Sequence, residues 1–410
     1  MTRRLREPGH QGAFELKLAA RVGWDATRNR LTRALDQRRR EGLPVLDLTE
    51  SNPTRCGFDY PAAAILGALG NPAAMDYAPD PRGLREAREA ISGLYAGGGC
   101  RVDPDSLVLT AGTSEAYAFL FRLLADPGDR VLVPAPSYPL FDLLGRLNDV
   151  TLVPYPLICD AGFSIDCDAL ERAIDARTRA ILLVSPGNPS GAFLKTSEKE
   201  DLARISSRHR LPLICDEVFG DYALADDPRR AGTLAGFDAA PVFVLNGLSK
   251  MLALPQMKLA WIAAGGPPDI RADALERLEV IADVYLSVGT PVQAALPALL
   301  ALRPAIQGMV RRRVADNLAQ LLSLANAPGN ASACSVRPPE GGWSAILDIP
   351  RTRTEEEWTL RLLEADGVLA HPGYFFDFHG EGRLVVSLLP PQETFREGIA
   401  RLLRRLDSEA

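Results

Sequence analysis

Histidine and cysteine are scarce, and their spacing excludes more than their numbers do. The 410-residue chain has four histidines and six cysteines. The cysteines (Cys56, Cys100, Cys159, Cys167, Cys215 and Cys334) form no C-x-x-C pair and have no histidine at metal spacing. No metal site is expected from such a pattern. The start of the chain, MTRRLREPGHQGAFELKLAA, is charged and lacks an apolar segment of signal length. No run approaches the ~20 apolar residues that span a bilayer. A basic excess is missing too: net charge is −6 and the pI is near 5.5. That balance argues against nucleic acid and against an anionic membrane surface as partners. The arginine runs at 38–40 and 311–313 are flanked by acidic residues in helix-like sequence and read as solvated helix faces. Internal repeats and low-complexity linkers are lacking. Gly97-Gly98-Gly99 follows no strand and is not a G-x-G-x-x-G fingerprint, so it reads as a loop. The compartment these features imply is the cytosol.

What remains is ordinary globular sequence, 47% hydrophobic and 24% charged, long enough for two or three domains or one large domain with a smaller partner. Residues 1–45 read as a weakly ordered start followed by a helix over 24–40. A short strand then runs into the turn TESNPT. From about residue 85 the pattern becomes repetitive: helix 84–95, strand 106–110, helix 113–125, strand 130–134, the loop PAPSYP, a helix to about 147, strand 150–155, helix 166–176, strand 179–184, helix 196–208 and strand 211–215. Apolar runs at 241–245 and 259–264 follow, then helices at 268–280 and 290–325. A smaller unit closes the chain, with strands at 342–348, 367–371 and 383–388 and helices at 354–365 and 391–406. Strands whose apolar residues run on without alternation, separated by helices, predict an α/β fold with a mostly parallel sheet covered by helices on both faces.

Such sheets bind ligands at the carboxyl ends of their strands, and four chemistry-bearing features sit there. Gly112-Thr113-Ser114 opens a helix directly after a strand, where free N–H groups suit a phosphate; a plain helix cap is the competing reading. Asn188 lies in SPGNPSG, as a donor to a ligand or as an Asx-turn residue. Asp216 ends an almost wholly apolar strand and needs a partner there. Lys250 follows the strand at 242–245 through the turn Asn246-Gly247-Leu248-Ser249. Most lysines are solvated, but a desolvated one has its pKa pushed down and can form a Schiff base.

Taken together, the order GTS, PSYP, SPGNPSG, CDEVF and NGLSK resembles the class I/II aminotransferases, fold-type I enzymes that use pyridoxal 5′-phosphate. The resemblance covers roughly residues 40 to 405. It implies a small domain built from an N-terminal segment (1–50) and from a linking helix with the C-terminal region (291–410), around a large cofactor-binding domain (51–290). It also implies a role for each matching residue. Lys250 forms the Schiff base with the cofactor and moves the proton. Asp216 pairs with the pyridine N–H, Asn188 bonds the ring oxygen and Tyr138 stacks on the ring. Gly112, Thr113 and Ser114 hold the phosphate with Lys258, and Tyr77 reaches a neighbour's phosphate across a homodimer interface. Ser51 and Asn52, with Asn188, border the substrate carboxylate.

Four positions depart from that pattern. Phe219 stands where a tyrosine usually donates to the ring oxygen, with Tyr222 the candidate to compensate. Gly247 replaces a phosphate-binding serine. Lys258 replaces an arginine, exchanging a two-pronged clamp for a point charge. Val385 occupies the position of the carboxylate-binding arginine; Arg383, two residues earlier on the same strand face, is the expected replacement, with a surface ion pair as the alternative. The implied activity is transfer of the α-amino group of an L-amino acid to a 2-oxo acid. Residues 281–293 offer no arginine for a distal carboxylate, which disfavours an aspartate-type donor. Trp343 and Tyr374-Phe375-Phe376 suggest an apolar or aromatic side-chain pocket, with core packing as the rival reading. The alternative is a lyase, decarboxylase or oxidase on the same fold. A transcription factor with an aminotransferase-like sensor domain would need a DNA-binding domain ahead of residue 40 and a basic balance, and is set aside.

Overall fold

The apolar strands alternate between two cores, and that alternation builds the molecule. The computed structural model describes residues 17–24, 27–160, 162–326 and 333–409. Among these, the large sheet has eight strands: β1 Leu107–Thr110, β2 Arg130–Ala135, β3 Thr151–Cys159, β4 Phe163–Ile165, β5 Thr178–Val184, β6 Leu213–Asp216, β7 Val242–Gly247 and β8 Ala260–Gly265. Their spatial order is β1-β8-β7-β6-β5-β2-β3-β4. Pairings from β7 through to β3 are parallel; β8 runs antiparallel to both neighbours, and β4 antiparallel to β3. The predicted mostly parallel sheet is what the structure shows.

Because side chains alternate along a strand, Leu213 and Cys215 enter one core while Ile214 enters the other; Val242 and Val244 likewise part from Phe243 and Leu245. One core packs under the helices Thr113–Leu124 and Pro268–Tyr285. The other lies under Arg85–Gly97, Thr196–His209, Thr290–Ala301 and Arg303–Ala325. Covering both faces is what allows β7 and β8 to be buried at every position.

The smaller unit is an antiparallel sheet of Ser335–Arg337, Ser344–Asp348, Arg383–Ser387 and His371–Pro372. Leu46–Asp47 pairs in parallel with Val368–Leu369 as a separate two-stranded sheet, so the N-terminal segment packs with the C-terminal region. The run at 367–371 is therefore two short strands with different partners rather than one.

Other boundaries differ from expectation, among them the extension of the helix expected over 268–280 to Tyr285. The helix predicted over 24–40 starts at Arg30, where the Asn29 side chain accepts the Thr32 N–H at 2.7 Å; residues 25–26 and the weakly ordered start at 1–16 lie outside the described residues. The helix predicted over 166–176 is limited to Cys167–Arg172. The strand predicted at 150–155 continues to Cys159 and turns back as β4, forming a hairpin whose Phe163 clusters with Ile346 and Val385 of the small sheet and with Phe376 of the turn Gly373–Phe376.

Candidate active site

The carboxyl ends of β5, β6 and β7 deliver three side chains to one pocket. Asn188, Asp216 and Lys250 line it together with Thr113, Ser114 and Tyr138. Gly112 directly precedes Thr113, and a Cβ there would stand 3.5 Å from Lys258 Nζ, so these two residues border the pocket without lining it. The structure thus gathers Gly112, Thr113, Ser114, Tyr138, Asn188, Asp216, Lys250 and Lys258.

Asp216, the last residue of β6, and Glu217, the next, point to opposite faces of the sheet. Asp216 points with Ile214 toward the helix Thr113–Leu124, where Tyr117 donates to Asp216 Oδ2 at 2.7 Å and the Val218 N–H donates to Oδ1 at 3.0 Å. Burial raises the Asp216 carboxyl above the usual carboxylate range, opposed by the Tyr117 hydroxyl, the Val218 N–H and Lys250. Tyr117 escaped the sequence reading, because it sits in an apolar helical stretch and looks like core. The one available signal was the need of a buried Asp216 for a donor.

Lys250 stands on the short helix Leu248–Met251. Side chains from elsewhere satisfy the carbonyls around it. Tyr222 Oη donates to the carbonyl of Lys250 at 2.9 Å, Gln307 to that of Met251 at 3.0 Å and Tyr60 to that of Ala253 at 2.7 Å. The Tyr222 hydroxyl is therefore spent on the backbone, and the expectation that it compensates for Phe219 is corrected. The Lys250 amine lies 5.4 Å from the Phe219 ring centre and 5.2 Å from that of Trp343. Burial lowers its pKa against the counter-pull of Asp216, which favours the free amine that Schiff-base chemistry requires.

The helix Thr113–Leu124 starts at the pocket with no side-chain cap, Gly112 preceding Thr113. Its first N–H groups are open to an anion. Gly247 has no room for the serine usual in the pattern: a Cβ would stand 2.7 Å from Ala260 Cβ and 3.0 Å from the Leu259 carbonyl.

Four expected residues lie elsewhere. Arg383 is paired with Asp348 at 3.5 Å, donates to the His379 carbonyl at 3.2 Å and stacks over Phe378. Asn52 caps the turn Pro53–Arg55 by accepting the Thr54 N–H at 3.1 Å, and Ser51 beside it is exposed. Tyr77 is 79% exposed and lines a separate groove with Leu286. None of the four lines the Lys250 pocket.

The residues present fit pyridoxal phosphate: a desolvated amine, a buried carboxylate with acceptor capacity left on each oxygen, an aromatic ring at Tyr138 and an uncapped helix start. A doubly wound sheet with these groups at its strand ends defines a cofactor-dependent enzyme of the fold-type I class. The particular family follows from comparison. The model for aminotransferase class I and II matches residues 63–402, and the chain belongs to that family of pyridoxal-phosphate enzymes. The alanine aminotransferase of Mycobacterium tuberculosis is 29% identical over 379 residues, covering 88% of this chain and 85% of that one. The arginine–pyruvate transaminase AruH of Pseudomonas aeruginosa is 30% identical over 395 residues, covering 93% of each. Among solved structures, an alanine aminotransferase from Pyrococcus furiosus superposes with a TM-score of 0.83 at 25% identity, over 92% of this chain and 96% of that one. No helix among the described residues is long and apolar enough to cross a membrane.

Proposed function

We propose that the chain transfers an amino group between an L-amino acid and a 2-oxo acid with alanine and pyruvate as one pair, and that the pocket around Lys250 carries the reaction. The observation that carries this reading is the buried amine of Lys250 facing Asp216 in one pocket with Asn188 and Tyr138. Two of the relatives above are alanine aminotransferases and the third is named for pyruvate.

The chemistry the bound cofactor supplies is an electron sink for the charge left when the substrate Cα loses its proton. The chain's own groups do the rest. Lys250 Nζ would anchor the cofactor, and the same amine would take and return the proton at the substrate Cα. Asp216, kept in place by Tyr117 and the Val218 N–H, accepts the pyridinium N–H. Asn188 donates to the ring oxygen, and Phe219 leaves that oxygen without a second side-chain donor from its position. Tyr138 covers the ring. The N–H groups of Thr113 and Ser114, with Gly112 leaving room for Lys258, hold the phosphate.

The homodimer belongs to the same proposal. Tyr77 does not line the Lys250 pocket of its own chain, and Met75, Leu66 and Val284 are exposed apolar residues on the described surface. A second copy meeting that surface gives Tyr77 a phosphate to reach. Residues 51–290 and the two flanking segments are then the functional domains, with Ser51 and Asn52 bordering the substrate. A cytoplasmic location is supported by the free thiols of Cys56, Cys100, Cys159, Cys167 and Cys215, the state kept in reducing compartments.

The test is the visible spectrum of purified protein loaded with pyridoxal phosphate. Adding L-alanine converts the cofactor to its amine form, pyruvate reverses the change, and Lys250→Ala shows neither. A wild-type spectrum that no amino acid alters, or one unaffected by Lys250→Ala, sinks the reading.

A further inference from the structure

Tyr138 and Phe141 line a second space besides the Lys250 pocket, a groove of about 690 Å³. Its remaining wall includes Tyr374 and Phe378, and it carries two carboxylates, Asp142 and Asp377. We propose that this groove is the subsite for the side chain of a cationic amino donor, one ending in a guanidinium or an ammonium group. The proposal rests on the aminotransferase reading and names the substrate class that reading leaves open.

Continuity comes first. A donor whose amine meets Lys250 lies in the pocket bounded by Tyr138 and Phe141, and the same two residues lead into the groove. The walls suit an alkyl stem with a cation at its end, since aromatic faces attract cations as well as apolar chains. The charge points the same way. Asp377 has no cation paired with it among the described residues; burial raises its carboxyl, and the like charge of Asp142 adds to the rise. Asp142 has only Arg146 nearby, at 4.0 Å. Two mutually repelling carboxylates on one aromatic groove are an unfavourable arrangement that a cation relieves.

A separate observation concerns Ser137, which lines the groove at 4% exposure and whose Oγ has no hydrogen-bond partner. A hydroxyl of that kind offers an acceptor for a guanidinium or ammonium N–H. Arg383, stacked over Phe378, is held by Asp348. An anionic side chain would meet both aspartates and is excluded.

The experiment compares L-arginine with L-norleucine, an uncharged donor with an unbranched side chain, as cofactor-converting donors for the holoenzyme, with L-alanine as reference. Wild type is expected to prefer arginine over norleucine by tenfold or more, through KM. The Asp142→Asn/Asp377→Asn double variant is expected to lose that preference by about tenfold. Both residues are exposed, so the double variant keeps its fold. The 2-hydroxy analogue of arginine, which has no amino group to transfer, is expected to bind wild type by calorimetry and to bind the double variant at least tenfold more weakly. Equal use of arginine and norleucine, or a preference and a calorimetric affinity unmoved in the double variant, overturns the proposal while conversion by alanine keeps the aminotransferase reading standing. If no donor converts the cofactor, that reading fails and takes the proposal with it.

Discussion

Replacing Glu217 with glutamine should remove a pH dependence of stability that the wild type carries in an unusual direction. Glu217 follows Asp216 but points to the opposite sheet face, 7% exposed. It accepts hydrogen bonds from the Leu234 N–H at 2.8 Å and from the Thr233 hydroxyl. Burial pushes its carboxyl from 4.5 up to about 7, and the charge of Asp216 adds to the rise. Between those two values the unfolded chain has lost the proton that the folded chain still holds. Stability from this group is therefore complete below about pH 4.5 and is lost as pH rises toward 7. Such a displacement corresponds to about 3 kcal/mol, most of it falling between pH 5 and 7. Glutamine is neutral throughout and keeps an acceptor for the Leu234 N–H. The assay is urea denaturation of wild type and Glu217→Gln at intervals from pH 5 to 8.5, taking the difference between the two proteins so that other titrating groups cancel. The variant should gain steadily on the wild type as pH rises and level off above about pH 7.5. A difference that stays flat across the range refutes the reasoning, because a carboxyl ionised alike in both states contributes no slope.

Two further substitutions test the site and its packing. Tyr117→Phe removes the hydroxyl that Asp216 accepts at 2.7 Å. A hydrogen bond to a charged, buried group is worth about 1.5–3 kcal/mol, so titration of the apoprotein with pyridoxal phosphate should show affinity reduced by about tenfold or more; unchanged affinity would remove Tyr117 from the support of Asp216. Gly247→Ser forces a Cβ to within 2.7 Å of Ala260 Cβ, an overpacking worth about 1–3 kcal/mol. Its thermal midpoint should fall, and adding Ala260→Gly should not restore it, because the Ala260 Cα at 2.9 Å and the Leu259 carbonyl at 3.0 Å still crowd the new Cβ. A single variant as stable as the wild type would mean that β7 and β8 part without cost.

The parallel sheet was legible because burial on both faces leaves a plain mark, an apolar run without alternation. The convergence of Gly112, Asn188, Asp216 and Lys250 followed, since strand ends in such a sheet share one edge. What escaped was whatever depends on register or on a distant partner. The first strand of the β3–β4 hairpin has Pro154 and Pro156, prolines that mark a stretch with one open side, as residues 151–156 are before Leu157–Cys159 pair with β4; nothing local says that Phe163 would reach the small sheet. Arg383 shares a strand face with Val385, as expected. The cross-strand register, however, sets Arg383 opposite Asp348, and a carboxylate opposite an arginine claims it. Tyr117 and Tyr222 carry hydroxyls that only the folded chain assigns, one to a carboxylate and one to a carbonyl.

The departures from the family pattern also form one connected arrangement. Phe219 and Trp343 meet edge to face at 5.2 Å, and Tyr222 meets the same Trp343 at 5.0 Å. A phenol at 219 would bring a hydroxyl into that aromatic contact, whereas Tyr222 places its hydroxyl under the carbonyl of Lys250. The polar tip three residues on thus acts on the backbone that carries the amine. The small domain meets this wall through the same segment. The Glu340 side chain accepts the Phe193 N–H at 3.0 Å and pairs with Lys195, and the Gly342 N–H donates to the Tyr222 carbonyl at 3.0 Å. At 385 the reason for valine is equally local. Its side chain is 2% exposed among Phe163, Ile346 and Phe376, and a guanidinium there would be buried among apolar side chains at a cost of several kcal/mol. Recognition of the substrate carboxylate cannot start from that position while the hairpin of β3 and β4 covers it. The domain contact and the missing arginine are two aspects of one packing choice.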